Sequence, residues 1–197
     1  MLLTTNFGLL PDTVISRCQK LELHPMPAGE VEKALTDNWS IEPQKAKLLS
    51  RLCHGCIGWA ISAAQNDELL KKYYENRDSI LDIISAGGDV RFTYAAQLAS
   101  QFSQRREYTK QILNLWLDLW RDLLLLKTGF IEAVTNIDIE ETLTELAEGF
   151  NINDIREFIG GILAAREQLR QNASPRLVLE VLMLDIPRRR REGVRNK

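Results

Sequence analysis

From Pro27 onward, hydrophobic residues recur every three or four positions, which is the period of an amphipathic helix. The pattern is strongest between Gln104 and Lys127, where the apolar residues form one continuous stripe. This stripe consists of Tyr108, Ile112, Leu115, Trp116, Leu119 and Leu123. Gly87-Gly88 and Pro187 are typical helix stops that divide the rest into shorter segments. The pattern therefore predicts a mainly α-helical protein.

The first 25 residues have a different pattern. Leu2 to Thr5 could be the end of a strand, and Asp12 and Thr13 are residue types that cap helices. Gln19 to Leu23 alternates polar and apolar residues, as a half-buried strand does. Two short strands cannot form a stable sheet by themselves. We therefore interpret this segment as the remnant of a larger α/β domain.

Breaks in the apolar pattern predict how the chain is divided into domains. Residues 1–25 are the expected core remnant, and residues 26–66 form a compact unit of about three helices. Residues 67–187 form a longer all-helical block, and residues 188–197 are a basic tail with six cations and one acid. The two helical units are expected to meet near residues 65–68, where polar residues interrupt the apolar stripe.

Composition narrows the class of protein. The chain has 197 residues, of which 45% are hydrophobic and 26% charged, as in ordinary soluble globular proteins. Its net charge of −2 gives no overall signal for nucleic-acid binding. Three cysteines argue against a disulfide framework and fit a reducing cytosol. No apolar run approaches the roughly 18 residues that span a bilayer, so we expect a cytoplasmic protein without a membrane partner.

Candidate chemistry is sparse. The sequence has no Gly-x-x-x-x-Gly-Lys-Ser/Thr phosphate loop and no Ser/His/Asp arrangement for nucleophilic catalysis. Residues 53–56, Cys-His-Gly-Cys, offer two thiols and an imidazole, but a structural zinc site needs four ligands. Buried thiols in a helix are the favoured interpretation. Arg188 to Arg191 could contact phosphates, although a solvated tail is the more common outcome for such a run.

The N-terminal segment carries a specific resemblance. Leu2-Leu3-Thr4-Thr5-Asn6 is followed by Leu10-Pro11-Asp12-Thr13-Val14-Ile15-Ser16-Arg17-Cys18-Gln19. This order resembles the stretch of bacterial DNA polymerase III clamp-loader subunits, members of the AAA+ family, from the sensor-1 strand to the Ser-Arg-Cys motif. In that family the arginine of this motif is an arginine finger that reaches the ATP site of a neighbouring subunit. The resemblance implies this role in trans for Arg17, with Thr5, Asn6, Ser16 and Cys18 as motif positions.

The chemistry of phosphoryl transfer explains why an arginine would be needed. Negative charge develops on the oxygens of the transferred phosphoryl group, and a planar guanidinium offers several donors to that charge. The alternative interpretation of Arg17 is an ordinary surface arginine between two strands. The surrounding motif favours the arginine finger.

Residues 25–61 resemble the small helical lid domain of the same family. Pro25-Met26-Pro27 resembles its start, and residues 46–61 resemble the helices that carry the sensor-2 motif. ATP-hydrolysing relatives have an arginine at the position of Gly58, and a glycine has no side chain to contact a phosphate. The Gly-Trp-Ala sequence that begins at Gly58 is more similar to the delta-prime type of subunit. This implies that the chain itself binds no cofactor, and that ATP and Mg²⁺ bind at neighbouring subunits.

Residues 172–182 resemble the last helix of the family's collar domain, where the subunits join in a ring. Leu177, Val181 and Leu184 would suit such an interface, although this spacing alone favours an ordinary core. The resemblance implies gamma/tau and delta subunits as partners in a hetero-oligomeric ring. It implies contact with the sliding clamp and primed DNA through the assembled complex, and no enzymatic activity of the chain alone.

Two other functions remain open from the sequence. One is a gamma/tau-like ATPase subunit of the same complex, against which Gly58 argues. The other is a stand-alone helical adaptor, which predicts no strand next to the Ser-Arg-Cys residues.

Overall fold

The computed structural model describes residues 2, 4 and 10–189. Their regular structure is entirely helical, with short 3-10 turns at Ile131–Ala133 and Ile137–Ile139 between the seventh and eighth α-helices. The mainly α-helical prediction is confirmed. The α-helices are α1 (Asp12–Ile15), α2 (Ala28–Trp39), α3 (Pro43–Leu52), α4 (Ile57–Gln65), α5 (Asp67–Ser85), α6 (Gly88–Phe102), α7 (Arg106–Lys127), α8 (Glu140–Glu148), α9 (Ile152–Arg170) and α10 (Pro175–Leu184).

The strand expected over Gln19–Leu23 is not formed. These residues are irregular and exposed, and Leu21 and Leu23 are 83% and 84% exposed. A strand needs a neighbouring strand to bond its backbone, and the described part of the chain offers none. The alternating pattern at this position is therefore not sufficient to form a strand. The other expected strand, from Leu2 to Thr5, lies largely outside the described residues.

Helix ends follow the local chemistry of the sequence. Asn66 starts α5 by accepting a hydrogen bond from the backbone N–H of Glu68 at 3.0 Å. Asn151 starts α9 in the same way, with a 2.8 Å bond from the backbone N–H of Asp154. Pro175 occupies the first turn of α10, where its missing N–H costs nothing. Capping residues and prolines therefore fix several of the boundaries.

Two clusters of buried apolar residues form, and the described residues that make them up do not overlap. The first lies among α2, α3 and α4, which we call the first helical unit; Trp59 packs at its edge. The second lies among α5–α10, the second helical unit, and contains Trp116. The first cluster comprises Val31, Leu35, Ala46, Leu49, Cys53, Ala60 and Ala63. The division into a lid and a collar stays a prediction, since a cluster of buried residues does not by itself define a domain.

Helix α7 lies at the centre of the second unit. Its apolar stripe is buried from Ile112 to Leu123 and half-buried at Tyr108, and Trp116 and Trp120 have no exposed surface. The ring of Phe158, from α9, lies 5.8 Å from that of Trp116 and 4.5 Å from that of Trp120. Aromatic pairs at such distances stabilise the fold beyond the burial of their apolar area. Helix α7 therefore provides a rigid surface on which other segments can be placed.

Arg91 joins three parts of the second unit. Its guanidinium donates hydrogen bonds to the carbonyls of Ile83 and Ile84 at the end of α5, and to that of Ile186 after α10. The carbonyl of Ile83 also accepts a hydrogen bond from the backbone N–H of Ala86 at 3.2 Å, while that of Ile84 lies in the last turn of α5, where carbonyls lack partners within the helix. Arg91 thereby fixes the C-terminal end of α10 against α6.

Among the described helices, none is both long and apolar enough to cross a membrane.

Candidate functional site

Arg17 lies on the turn that follows α1. Its backbone N–H donates to the carbonyl of Val14 at 3.1 Å, and the Ser16 hydroxyl lies 3.4 Å from the carbonyl of Thr13. Arg17 and Cys18 are exposed, and within residues 10–189 no ion pair involves the Arg17 guanidinium. The side chain is thus free to reach another molecule, but its expected role stays a prediction. The associated motif residues Thr5 and Asn6 lie outside the described residues.

Gly58 is the second residue of α4 and is exposed. A Cβ atom at this position would have no neighbouring atom within 4 Å. The packing around this position therefore does not require a glycine, since a Cβ atom fits without a contact. Packing of neighbouring atoms therefore does not explain why this position carries no side chain.

The turn between α3 and α4 contains two residues in the left-handed backbone conformation. His54 has φ 49° and Gly55 has φ 79°, a conformation that favours glycine and is uncommon for other residues. A Cβ on Gly55 would lie 2.5 Å from the Cβ of Pro25 and 2.7 Å from the carbonyl oxygen of Met26. The Gly55 carbonyl also accepts a 3.0 Å hydrogen bond from the Met26 N–H. Residues 53–56, the 53–56 turn, are thereby held against the residues that lead into α2.

The thiols of this turn differ in environment. Cys53 is buried, its Sγ lies 3.4 Å from the carbonyl of Ser50, and burial raises the pKa of the Cys53 thiol. Cys56 is exposed. Across residues 10–189, the structure brings together no group of three or more His, Cys, Asp and Glu side chains suited to a metal ion. The side chain with a clear partner in this turn is His54.

On its other side, the 53–56 turn contacts α7. The Nε2 atom of His54 lies 2.9 Å from Oδ2 of Asp118, and this hydrogen bond is the main cause that raises the pKa of His54 above its ordinary value of 6.5. Nearby, Nη1 of Arg51 donates to the carbonyls of Glu132 at 2.5 Å and Val134 at 2.9 Å. The end of α3 and the 53–56 turn are therefore bonded to α7 and to the segment that follows it.

One helical turn after Asp118, the carboxylate of Asp122 is completely buried. It accepts hydrogen bonds from the backbone N–H groups of Thr135 and Asn136, both at 2.9 Å, and from Nδ2 of Asn136 at 2.8 Å. Burial raises the pKa of Asp122, and these three bonds partly oppose that effect. We call this set of bonds the Asp122 network. It fixes the segment after α7 to the helix itself.

Helix α5 joins the same network. The Tyr73 hydroxyl donates to Oδ1 of Asn136 at 2.8 Å, and burial raises the pKa of Tyr73. The buried guanidinium of Arg77 donates to Asp138 at 2.5 Å and lies over the ring of Tyr74, 4.8 Å from its centre. The hydrogen bonds Tyr73–Asn136 and Arg77–Asp138 join residues 63 and 61 positions apart. Hydrophobic periodicity reports only on local structure, so it could not predict these two bonds.

Helix α10 has one apolar face without a partner among the described residues. Leu177, Val181 and Leu184 are 63%, 55% and 63% exposed, while the opposite face of α10 is buried in the core of the second unit. These three side chains are thus not core residues, although their spacing alone favoured a position in the core. Leu163 on the adjacent helix α9 is also exposed. Contiguous apolar surface on a soluble protein commonly marks a contact with another protein.

These features define a class of protein: a chain whose described regular structure is helical and which exposes an apolar face on α10. Residues 90–187, which include most of α6 and all of α7–α10, match the family described as "DNA polymerase III, delta subunit, C terminal". Over 187 residues the chain is 22% identical to the "DNA polymerase III subunit delta'" of Bacillus subtilis (strain 168). The match covers 93% of this chain and 55% of the relative, so the chain spans about half the length of that relative.

The predicted relationship is therefore confirmed. The chain is similar to the C-terminal part of a clamp-loader subunit of the delta-prime type. The irregular segment 19–23 agrees with the alternative of a stand-alone adaptor on one point, since that alternative predicts no strand there. The family match argues against the adaptor, because it covers the helices that would form the assembly surface.

Proposed function

We propose that this chain acts as the C-terminal part of the delta-prime subunit in a cytoplasmic DNA polymerase III clamp loader. It joins gamma/tau and delta subunits in a ring, and the assembled complex acts on the sliding clamp and primed DNA. One observation carries this proposal: the apolar face of α10 is exposed within residues 90–187, the region that matches the delta-subunit family. A surface of this kind suits a permanent subunit contact.

The assembly surface can be tested by replacing Leu177, Val181 and Leu184 with serine. Because the three side chains are exposed, the chain should still fold, while its affinity for the gamma/tau and delta subunits should fall at least tenfold. Sedimentation of the mixed subunits measures this affinity. Leu21→Ser with Leu23→Ser is the matched control, since these leucines are exposed but lie outside the family region. Unchanged affinity in the α10 variant would exclude this face as the interface.

The second part of the proposal is that Arg17 acts as an arginine finger at the ATP site of a neighbouring subunit. Its exposure and lack of an internal ion pair support this, because a guanidinium that is already paired would be less available. In the assembled complex, Arg17→Ala should preserve assembly and reduce ATP hydrolysis at least tenfold, since fingers of this type contribute about 10³–10⁵ in rate in GTPases. Arg17→Lys should restore little, because a point charge does not replace the planar guanidinium.

The third part is that this chain binds no nucleotide, and that ATP and Mg²⁺ are held by neighbouring subunits. Exposed Gly58 supports this and also disfavours a gamma/tau-like ATPase, because it offers no cation for a phosphate. Calorimetric titration of the chain with Mg²⁺ and ATP should show no heat of binding at micromolar concentrations. Micromolar binding would contradict the proposal. The chain contributes no complete catalytic site in this proposal, and it acts within the polymerase holoenzyme by bracing its neighbours.

A further inference from the structure

The orientation of the first helical unit on the second depends on few side-chain contacts. Their apolar clusters share no buried residue among those described. Trp59 and Tyr73 meet edge to face, with ring centres 6.2 Å apart, but they lie on either side of the direct connection between α4 and α5. Leu70 of α5 packs on the first cluster, and Nζ of Lys45 lies 3.8 Å from Asp67, both close to that connection. Farther from it, the hydrogen bonds of Arg51 and His54 join the two units. Two units joined in this way are expected to move relative to each other when such contacts break.

We propose that the 53–56 turn is a pH-sensitive latch in which the His54–Asp118 hydrogen bond holds the first helical unit in a fixed orientation on α7. This inference concerns the geometry of the chain itself. It does not depend on the proposed role in a clamp loader.

The backbone of the 53–56 turn couples His54 to the residues that lead into α2. Gly55 packs so closely on Pro25 and Met26 that the turn cannot shift without moving the residues that lead into α2. His54, the preceding residue, is held in a left-handed conformation that projects its ring toward α7. A change at His54 is therefore transmitted to α2 through the backbone.

The charges around His54 set the direction of the pH effect. Helix α7 presents Asp118, which forms the bond, together with Asp122, which favours the charged imidazole, and Arg121, which opposes it. On the opposite side, Pro25 and Met26 carry no ionisable side chain. The balance raises the pKa of His54, so protonated His54 is favoured in the folded chain. The His54–Asp118 bond is strongest below pH 6.5, where the imidazole is charged, and it weakens as the pH rises through the raised pKa of His54.

Arg51 is the second contact of the latch and has no role in its pH dependence. Its guanidinium remains charged at all the pH values concerned, and it donates to two backbone carbonyls, which do not titrate. It therefore holds the end of α3 near the segment 132–134, whether or not His54 is protonated.

Proton NMR tests the first step of the proposal. The chain has two histidines, so the imidazole signals of His54 and His24 can be assigned by single substitutions. Asp118→Asn should lower the pKa of His54 and leave the His24 signals unchanged. If the His54 titration is the same in Asp118→Asn as in the unmodified chain, the bond to Asp118 does not exist in solution and the proposal fails.

Pulsed electron paramagnetic resonance tests the orientation directly. Spin labels are placed on Asn38→Cys in α2 and Glu145→Cys in α8, both exposed sites, after the exposed Cys18 and Cys56 are replaced by serine. At pH 6 the distance between labels should be narrowly distributed. At pH 9 the distribution should become at least twice as wide.

Two histidine variants distinguish the effect of protonating the His54 imidazole from the effect of the backbone of the turn. His54→Asn retains a residue type that tolerates the left-handed conformation but cannot be protonated, so its distance distribution should be wide at both pH values. His24→Asn is the control and should behave as the unmodified chain. Equal widths at pH 6 and pH 9 in the unmodified chain, or a narrow distribution in His54→Asn, would overturn the proposal.

Discussion

Helix α7 presents two aspartates one turn apart, and they serve different purposes. Asp122 is buried and accepts three hydrogen bonds from a segment 13 and 14 residues along the chain. The side chain of Asp118 is 20% exposed, and it pairs with His54, which lies 64 residues earlier. Two of the three donors to Asp122 are backbone amides, which do not titrate, whereas the partner of Asp118 is an imidazole, whose pKa this contact raises. The partner, more than the carboxylate itself, decides whether such a contact is permanent or reversible.

The largest effect is expected from Asp122→Ala, because it removes the centre of the Asp122 network. The substitution leaves the backbone N–H groups of Thr135 and Asn136 buried without acceptors, at about 1–3 kcal/mol each. The free energy of unfolding should fall by about 3–5 kcal/mol, as measured by urea unfolding followed through tryptophan fluorescence. Asp122→Asn keeps one acceptor oxygen and should lose about half as much. A loss below 1 kcal/mol for alanine would show that this contact is no more important than an exposed one.

A smaller loss is expected from Arg51→Met. Methionine retains the apolar stem of the arginine but loses both hydrogen bonds to the carbonyls of Glu132 and Val134. Hydrogen bonds to a charged group contribute about 1.5–3 kcal/mol each, and partial exposure should reduce the sum of the two to about 2 kcal/mol here. Urea unfolding at pH 6 and pH 9 should give the same loss, because no titrating group takes part. A loss that depends on pH would instead place Arg51 within the His54 contact.

Tyr73→Phe tests how far the Asp122 network extends. It removes the hydroxyl that donates to Oδ1 of Asn136 and leaves that oxygen without its partner. The expected loss is about 1 kcal/mol, the usual contribution of one neutral hydrogen bond. Combining Tyr73→Phe with Asp122→Ala should give less than the sum of the two losses, since both act on Asn136. Additive losses would mean that the two contacts are independent.

The smallest effect is expected from His54→Asn, and it should depend on pH. The folded-state pKa of His54 is raised, so its contribution is complete below pH 6.5 and disappears as the pH rises through that pKa. For a half-exposed pair we expect a loss of about 0.5 kcal/mol at pH 6 and none at pH 9. Urea unfolding at the two pH values measures this difference. A loss that is equal at both would assign the effect to the backbone of the turn.

Much of the fold could be predicted from the sequence because helices are encoded locally. Gly87-Gly88 was predicted to stop a helix, and α5 ends at Ser85, directly before this pair and Ala86. The prediction of a strand over residues 19–23 was wrong, because strands are not encoded locally. A strand depends on a partner strand that its own residues do not supply, so alternation alone is insufficient.

The candidate site was less predictable. The Cys-His-Gly-Cys residues drew attention as a possible metal site, yet His54 acts through Asp118, and nothing in the local pattern joins the two. The one usable signal was Gly55, which interrupts an apolar stripe and marks a turn with an unusual backbone. The spacing of Leu177, Val181 and Leu184 could not separate core from surface, because both have helical periodicity. Only packing against α6 and α9 shows which face of α10 is buried.

The open space around Gly58 has a consequence for how this chain could change over time. A Cβ atom there would meet no atom within 4 Å, so the first atom of a side chain could be added without repacking α4. Every glycine codon is one nucleotide change from an alanine codon. Packing at this position therefore places no barrier to gaining a side chain on this surface. Protein engineers could use the same position to attach a probe to α4.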